Sequence, residues 1–463
     1  MKKQMLALFL ALTLIIGLVG CTKKAEDTPA ANDKENVENV EDAGKEEGTE
    51  IATEIATEIT EPVEVVFWHA MSGSNEEALV ALADKFMNEN PNIKLNLQFQ
   101  GNYRELFDKL MASAKAEKLP TMTQIYSNRL SWYVDKGLVE NLNPYIEDKT
   151  IGLTEEEIKD YPEMFLKDGI WNGNQYAMPF NKSQMVLYYN VDMFKEAGLD
   201  VPTTWEQWKE AAEKLTKDTD GDGEADVYGI VFANNISTDI APWLKQAGGM
   251  TMSEEKNELY FDTPETAEAV EFLNSLMQEG IARTAGEDKY ANVPLSQGRA
   301  AMCVASTSAI SNIEKDTMEG INIFAAPLPG NKTNDQLYYG TNVAVYNTGT
   351  PEEKLGAWLF SKFLSSPEST AYLAQQTGYL PARYSARELP EYKSYLESAP
   401  IKAVGLESFD IGFQGTRNIG GINALDVLGE ELDLVFAGQK SVVDALKDAQ
   451  ERGTRALEEA GKN

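Results

Sequence analysis

Between Val63 and Tyr126 the hydrophobic pattern alternates between strand and helix periods through five elements, and this limits the open folds more than any other feature. Val63-Glu64-Val65-Val66-Phe67-Trp68 reads as a strand. Residues 74–90 place Ala78, Leu79, Leu82, Phe86 and Met87 at helical spacing, and Asn90-Pro91 ends that helix. Ile93-Lys94-Leu95-Asn96-Leu97-Gln98-Phe99 alternates as a half-buried strand does. An amphipathic helix follows from about Tyr103 to Ala116, then a short strand at 123–126. Strand, helix, strand, helix, strand is the α/β pattern, in which ligands bind at loops beyond the carboxyl ends of the strands. A second α/β block spans about 181–338, and the tail from about 383 to 463 is largely helical. Roughly 400 ordered residues predict at least two domains, and no solenoid repeat is visible.

The N-terminus sets the compartment. Met1-Lys2-Lys3 is basic, residues 5–20 are apolar and uncharged, and Leu18-Val19-Gly20-Cys21 follows. That order describes a secretory signal over 1–20, and the run is too short for a comfortable transmembrane helix. The cysteine after Leu-Val-Gly resembles the bacterial lipoprotein signal, in which it becomes the lipidated first residue. Residues 22–62 hold 13 acidic against four basic side chains and no aromatic ring. They end in the small repeat Ile51-Ala-Thr-Glu, Ile55-Ala-Thr-Glu. Such a stretch lacks the apolar surface to order itself, so 21–62 reads as a flexible acidic tether between lipid and domain.

Cys21 and Cys303 are the two cysteines of the chain. With Cys21 lipidated, no internal disulfide is open, and stability must come from a packed core. Cys303, in Ala300-Ala301-Met302-Cys303-Val304-Ala305, is expected to be a buried small hydrophobe. A net charge of −33 argues against a nucleic-acid partner and against a polybasic membrane contact.

The chemistry of catalysis is mostly absent. His69 is the one histidine, so a nucleophile–histidine triad would have to use it, and no cluster suits an ordinary zinc site. No phosphate-binding loop or dinucleotide fingerprint follows a strand. Asp218-Thr-Asp220-Gly-Asp222-Gly223-Glu-Ala-Asp226 has oxygen ligands at calcium-loop positions 1, 3, 5 and 9 and glycine at 6, but Gly229 stands where the bidentate glutamate belongs. Two readings stay open: a structural Ca²⁺ site at Asp218, Asp220, Asp222 and Asp226, or a polar turn. No cofactor is required otherwise. Aromatic side chains suit a sugar's apolar faces. Trp205 and Trp208, three apart on a helix, read as core. Trp243, between Ala241-Pro242 and Gln246-Ala247-Gly248-Gly249, reads equally as cleft or core.

Several motifs together carry a family likeness. They are Phe67-Trp68-His69-Ala-Met71-Ser-Gly73, Phe86-Met-Asn-Glu-Asn-Pro91, Gly101-Asn102-Tyr103, Met178-Pro179-Phe180-Asn181, Leu187-Tyr188-Tyr189-Asn190, Gln297-Gly-Arg-Ala-Ala-Met302 and Thr377-Gly378-Tyr379-Leu380-Pro381, ending at Ala445-Leu446-Lys-Asp-Ala449. From residue 63 onward the chain resembles the extracellular solute-binding proteins of sugar-type ABC importers, and most strongly those that bind sn-glycerol 3-phosphate. The resemblance implies a two-lobe, type II periplasmic-binding-protein α/β fold with a hinge and an interlobe ligand cleft. It implies a first lobe of 63–180 and 339–382, a second of 181–338 and 383–463, and crossovers near 180–182, 338–341 and 382–385. It implies ligand contacts at Tyr103, Ser183, Ser306 in Ser306-Thr307-Ser308, Gly340, Tyr379 and Arg417, with Trp243 a further candidate. The same likeness would put a glutamate for ligand hydroxyls where this chain has Ser127, after Gln124-Ile-Tyr126. Lys182 is another departure, either adding charge for an anionic ligand or facing solvent.

The expected protein is therefore a binding protein, lipid-anchored at Cys21 on the extracellular face of a bacterial membrane. It would be monomeric and deliver glycerol 3-phosphate, a glycerophosphodiester or a sugar to ABC permease subunits. The rival from another class is a secreted carbohydrate-active enzyme with acids in the same cleft; a structural surface adhesin is a third.

Overall fold

The computed structural model describes residues 55–460, so the predicted signal, Cys21 and the tether up to residue 54 lie outside the described residues. The main sheet holds β1 (Val63–His69), β2 (Ile93–Phe99), β3 (Met122–Ile125), β4 (Ala177–Asn190), β5 (Tyr228–Phe232), β6 (Ala282–Thr284), β7 (Ala300–Ser306), β8 (Ile323–Ala326), β9 (Gln336–Val345) and β10 (Gly412–Gln414). Their order is β6-β5-β7-β4-β9-β3-β1-β2, with β8 also on β4 and β10 also on β9. β1 runs parallel to β2 and β3, and β5 parallel to β6 and β7. Antiparallel β4 and β9 join these two parallel ends.

Local sequence explains the elements. β1 buries Val65, Phe67 and His69 at period two. The helix Ser74–Glu89 buries Ala78, Leu79, Leu82, Ala83 and Phe86 along one face. The helix Tyr103–Lys115 starts sharply because Asn102 accepts from the Glu105 N–H while the Glu105 carboxylate accepts from the Asn102 N–H.

Two main apolar cores flank the sheet. One gathers Val65, Phe67, Leu79, Phe86, Trp358 and Phe360; the other gathers Trp205, Trp208, Ile230, Phe232, Leu273 and Leu446. β4 serves both, with Met178 and Phe180 in the first and Met185 and Leu187 in the second. Two lobes thus share their central strands. Three stretches cross between them: Asn181–Gln184 on β4, Tyr338–Asn342 on β9, and Leu380, whose N–H donates to the Lys182 carbonyl at 2.7 Å.

Two contacts differ from the expected boundaries. Ile55, Ala56 and Ile59 pack on the first core, and Asn92 donates to the Ile59 carbonyl at 3.3 Å. The repeat keeps an isoleucine every fourth residue, so its last copies have apolar side chains to dock, and the tether read as 21–62 ends in a strap. After Leu380 the chain also stays with the first lobe. Arg383 donates to the carbonyls of Ser365 and Glu157, Ser385 binds Asp160, and Tyr392 packs against Ala371 and Ala374. Ile401 and Val404 are the first later residues on a core of the second lobe, that of Ile310 and Ile313.

Candidate functional site

A cavity of ≈ 750 Å³ opens between the lobes at the crossing strands. The first lobe contributes Tyr103 from the start of its helix, Tyr126 from the end of β3, and Tyr379. The second contributes Ser306 at the end of β7 and Ser308 after it, Asp239 after β5, and Lys289 with Tyr290 at the rim. Asn181, Ser183, Tyr339 and Gly340 come from β4 and β9. Strand ends supply most of the lining, as open α/β sheets lead one to expect.

The floor is a closed polar network. Gln124 Nε2 donates to the Tyr103 hydroxyl at 3.0 Å and to Asn181 Oδ1 at 3.0 Å, and Asn181 Nδ2 also donates to the Tyr103 hydroxyl at 3.0 Å. Thr341 donates to Asn181 Oδ1, and Gln124 Oε1 accepts from the Ala70 N–H at 3.0 Å. Tyr379 hydrogen-bonds with both Tyr103 and Asn181. Burial holds the Tyr103 hydroxyl well above the ordinary tyrosine range and raises that of Tyr379, so both stay neutral and present O–H groups suited to sugar or phosphate oxygens. Tyr126 leans on Tyr103 with ring centroids 4.9 Å apart. The one histidine, His69, is buried between Phe67 and Phe99 and is not part of the cavity lining, and burial pulls it down to about 4.

Gly340 is required by close approach. Its φ is +120°, and a Cβ there would stand 2.2 Å from the Asn181 carbonyl oxygen and 2.7 Å from Lys182 Cα. The register of β4 on β9 shifts at the same point, between Gly340 and Asn342.

The structure therefore brings Tyr103, Ser183, Ser306, Gly340 and Tyr379 together in one cavity. Ser127 lines a smaller neighbouring cavity of ≈ 200 Å³ that shares Tyr126, Asn128, Asp239, Tyr339 and Gly340 with the first. Trp243 is a correction. It is 1% exposed in the short helix Ala241–Gln246, with its ring edge-on to Phe232, because that helix turns its apolar side into the second core. Arg417 is the second: its guanidinium lies outside both cavities, beyond Thr416. It binds the Glu254 carboxylate at 2.9 Å and 3.1 Å, donates to the Lys167 carbonyl at 2.6 Å, and sits 5.1 Å above the Trp171 ring. Glu254 satisfies the charge that the resemblance assigned to a phosphate.

Lys182 takes neither expected role. Its ammonium is wholly buried, 2.7 Å from Asp168 Oδ2 and 2.9 Å from Asn342 Oδ1. In the Asp-rich turn, oxygens of Asp218, Asp220 and Asp222 lie within 4.8 Å of one another, all exposed. Asp226 instead accepts from the Thr219 N–H at 2.7 Å, and Asp218 accepts from the Gly221 and Gly223 N–H groups. Asp239, Tyr339 and Asn181 are among the lining residues that sequence reasoning missed. The place of Asp239 in the loop that follows the carboxyl end of β5 was the available signal.

Comparison with known proteins fits this geometry. The pattern of the bacterial extracellular solute-binding protein family matches residues 81–400. The sn-glycerol-3-phosphate-binding periplasmic protein of Escherichia coli (strain K12) is 26% identical over 406 residues, 85% of this chain and 92% of that protein. Two solved structures share the fold. The UgpB protein of Mycobacterium tuberculosis in complex with glycerophosphocholine has a TM-score of 0.76 at 24% identity, covering 86% of this chain and 99% of that one. The cyclic alpha-maltosyl-1,6-maltose binding protein of Arthrobacter globiformis has a TM-score of 0.73 at 22% identity, covering 86% and 100%.

Proposed function

We propose that this chain, which belongs to the bacterial extracellular solute-binding protein family, captures a small polyhydroxylated solute between its two lobes and hands it to the permease of an ABC importer. It is a binding protein and not an enzyme. The solute is glycerol 3-phosphate, a glycerophosphodiester or a sugar, the kinds of ligand named for its relatives. The observation that carries this reading is the ≈ 750 Å³ interlobe cavity, walled by tyrosine, asparagine and serine groups at the crossing strands. Closure about those strands buries the ligand, and differential affinity for the closed state drives the switch.

The same proposal takes the protein as a monomer held by lipid at Cys21, after removal of 1–20, on the outer face of the cell membrane. It takes the first lobe as 63–180 and 339–382 and the second as 181–338 and 383–463, with 383–398 docked back on the first. It also takes Asp218, Asp220 and Asp222 as the core of a structural Ca²⁺ site, read by whether Ca²⁺ raises the melting temperature of the wild type but not of Asp220→Ala.

A thermal-shift titration with glycerol 3-phosphate, glycerophosphocholine, maltose and maltotriose tests the reading. Solute at a hundred times its dissociation constant stabilises by about 2.7 kcal/mol, a rise of a few degrees. The proposal fails if none of these solutes moves the transition, or if any is converted to product.

A further inference from the structure

Of the residues shared by the two cavities at the crossing strands, one is charged. The Asp239 carboxylate lines both, beside Tyr126 and Asn128 of the opposite lobe and in the same small cavity as Ser127. It accepts from Asn235 Nδ2 at 2.6 Å and from the Tyr339 hydroxyl of β9. Ser127 occupies the place where the resemblance expects a carboxylate for ligand hydroxyls; Asp239 brings one to the same space from the second lobe.

Among the charged side chains that line the two cavities, carboxylates outnumber cations. Asp426 lines the smaller cavity, and Arg129 faces it from the helix Ser127–Asp135. Lys289 lines the larger cavity from an exposed rim position next to Tyr290. Arg417 is held by Glu254, and Lys182 is enclosed with Asp168. Two carboxylates and one solvent-washed ammonium therefore line the pair of cavities. A phosphate monoester entering there would lose hydration and meet like charge. Hydroxyl donors, or a cationic group stacked on Tyr126 and Tyr339, would instead satisfy the carboxylate.

We propose that Asp239 is the charge-selecting residue of the cleft: it accepts ligand hydroxyls or faces a ligand cation, and excludes phosphate monoesters. The inference rests on the solute-binding reading and narrows its ligand to an uncharged polyol or one carrying a positive group. Burial holds the Asp239 carboxyl up at about 6, against the two hydrogen bonds it accepts, so it is ionised at neutral pH.

Isothermal titration of the full chain at pH 7.5 with maltotriose, glycerophosphocholine and glycerol 3-phosphate tests this, alongside Asp239→Asn. The wild type is expected to bind maltotriose or glycerophosphocholine at least tenfold more tightly than glycerol 3-phosphate. Asp239→Asn should shrink that preference at least tenfold while melting cooperatively. The assignment is overturned, and the solute-binding reading kept, if glycerol 3-phosphate is the tightest ligand of the wild type or if Asp239→Asn leaves the preference unchanged. If none of the three binds at millimolar concentration, the solute-binding reading falls and takes this assignment with it.

Discussion

The Lys182 ammonium, on the strand that both lobes share, and the Asp168 carboxylate, at the end of the helix Glu163–Lys167, meet at 2.7 Å with side chains 0% and 1% exposed. Asn342 on β9 completes the group, donating to Asp168 Oδ2 at 2.9 Å and accepting from Lys182. Burial pulls the Lys182 amine below its ordinary range, and the neighbouring carboxylate opposes that pull. Removing one partner leaves an uncompensated charge in the interior. Asp168→Ala should lose about 3–5 kcal/mol in urea unfolding, whereas Lys182→Met combined with Asp168→Leu should lose far less. Equal losses in the single and double variants would refute this account.

Gly340→Ala should be among the most damaging small substitutions in the cleft. The added Cβ has nowhere to go but into the Asn181 carbonyl, at a φ that side chains disfavour. Roughly 2–4 kcal/mol of stability should go. Solute affinity should fall with it, because Asn181 anchors the floor of the cavity. A variant that melts like the wild type would contradict the packing described at this crossing.

Two buried groups titrate with opposite signs in one pH window. The imidazole of His69 is depressed to about 4, so its stability contribution is complete above about 6.5 and lost as pH falls towards 4; the full swing is about 3 kcal/mol. Asp239 is raised to about 6, so its contribution is complete below about 4 and lost as pH rises through 6. The two nearly cancel in the wild type. Asp239→Asn should unmask the histidine and lose stability steeply from pH 6.5 to 4. With a single histidine in the chain, the imidazole proton resonances check the assignment directly. A midpoint near 6.5 would contradict it.

Solute affinity should follow the same carboxyl. If ligand hydroxyls bind ionised Asp239, affinity for maltotriose or glycerophosphocholine falls below pH 6 in the wild type and is flat in Asp239→Asn. Calorimetry at pH 5 and 7.5 reads the difference. A pH-independent wild type would remove Asp239 from direct contact.

Arg417 spans the lobes, bound to Glu254 on one side and to the Lys167 carbonyl and Trp171 ring on the other. Arg417→Ala should leave affinity for an uncharged solute within a few-fold and raise the radius of gyration of the free protein in X-ray scattering. Loss of all binding would return Arg417 to the ligand site.

Sequence periodicity revealed the strands and helices of the first lobe because each buries one clean face. Tyr103 came from the resemblance carried by Gly101-Asn102-Tyr103, and the cap at Asn102 gives that motif a local reason, since it fixes where Tyr103 begins its helix. Long-range partners were hidden. Nothing near Lys182 announces Asp168 fourteen residues earlier or Asn342 on another strand, so a lone lysine read as surface or ligand contact. Arg417 was misread for the same reason, since Glu254 lies far away in sequence. Trp243 sits among proline and glycines that suggest a loop, yet its short helix is pressed into the second core. Ile55 and Ile59 look like tether by composition, and only the apolar surface of the first core gives them a place to bind.

Because β4 and β9 belong to both halves of the sheet, no contiguous stretch of the chain holds a complete lobe. A fragment ending before β9 would expose the backbone donors and acceptors of β3 and β4 as open edges, ready to pair with another molecule. Truncation should therefore yield aggregates in place of a half-sized binding domain, and heating should melt the two halves in a single transition.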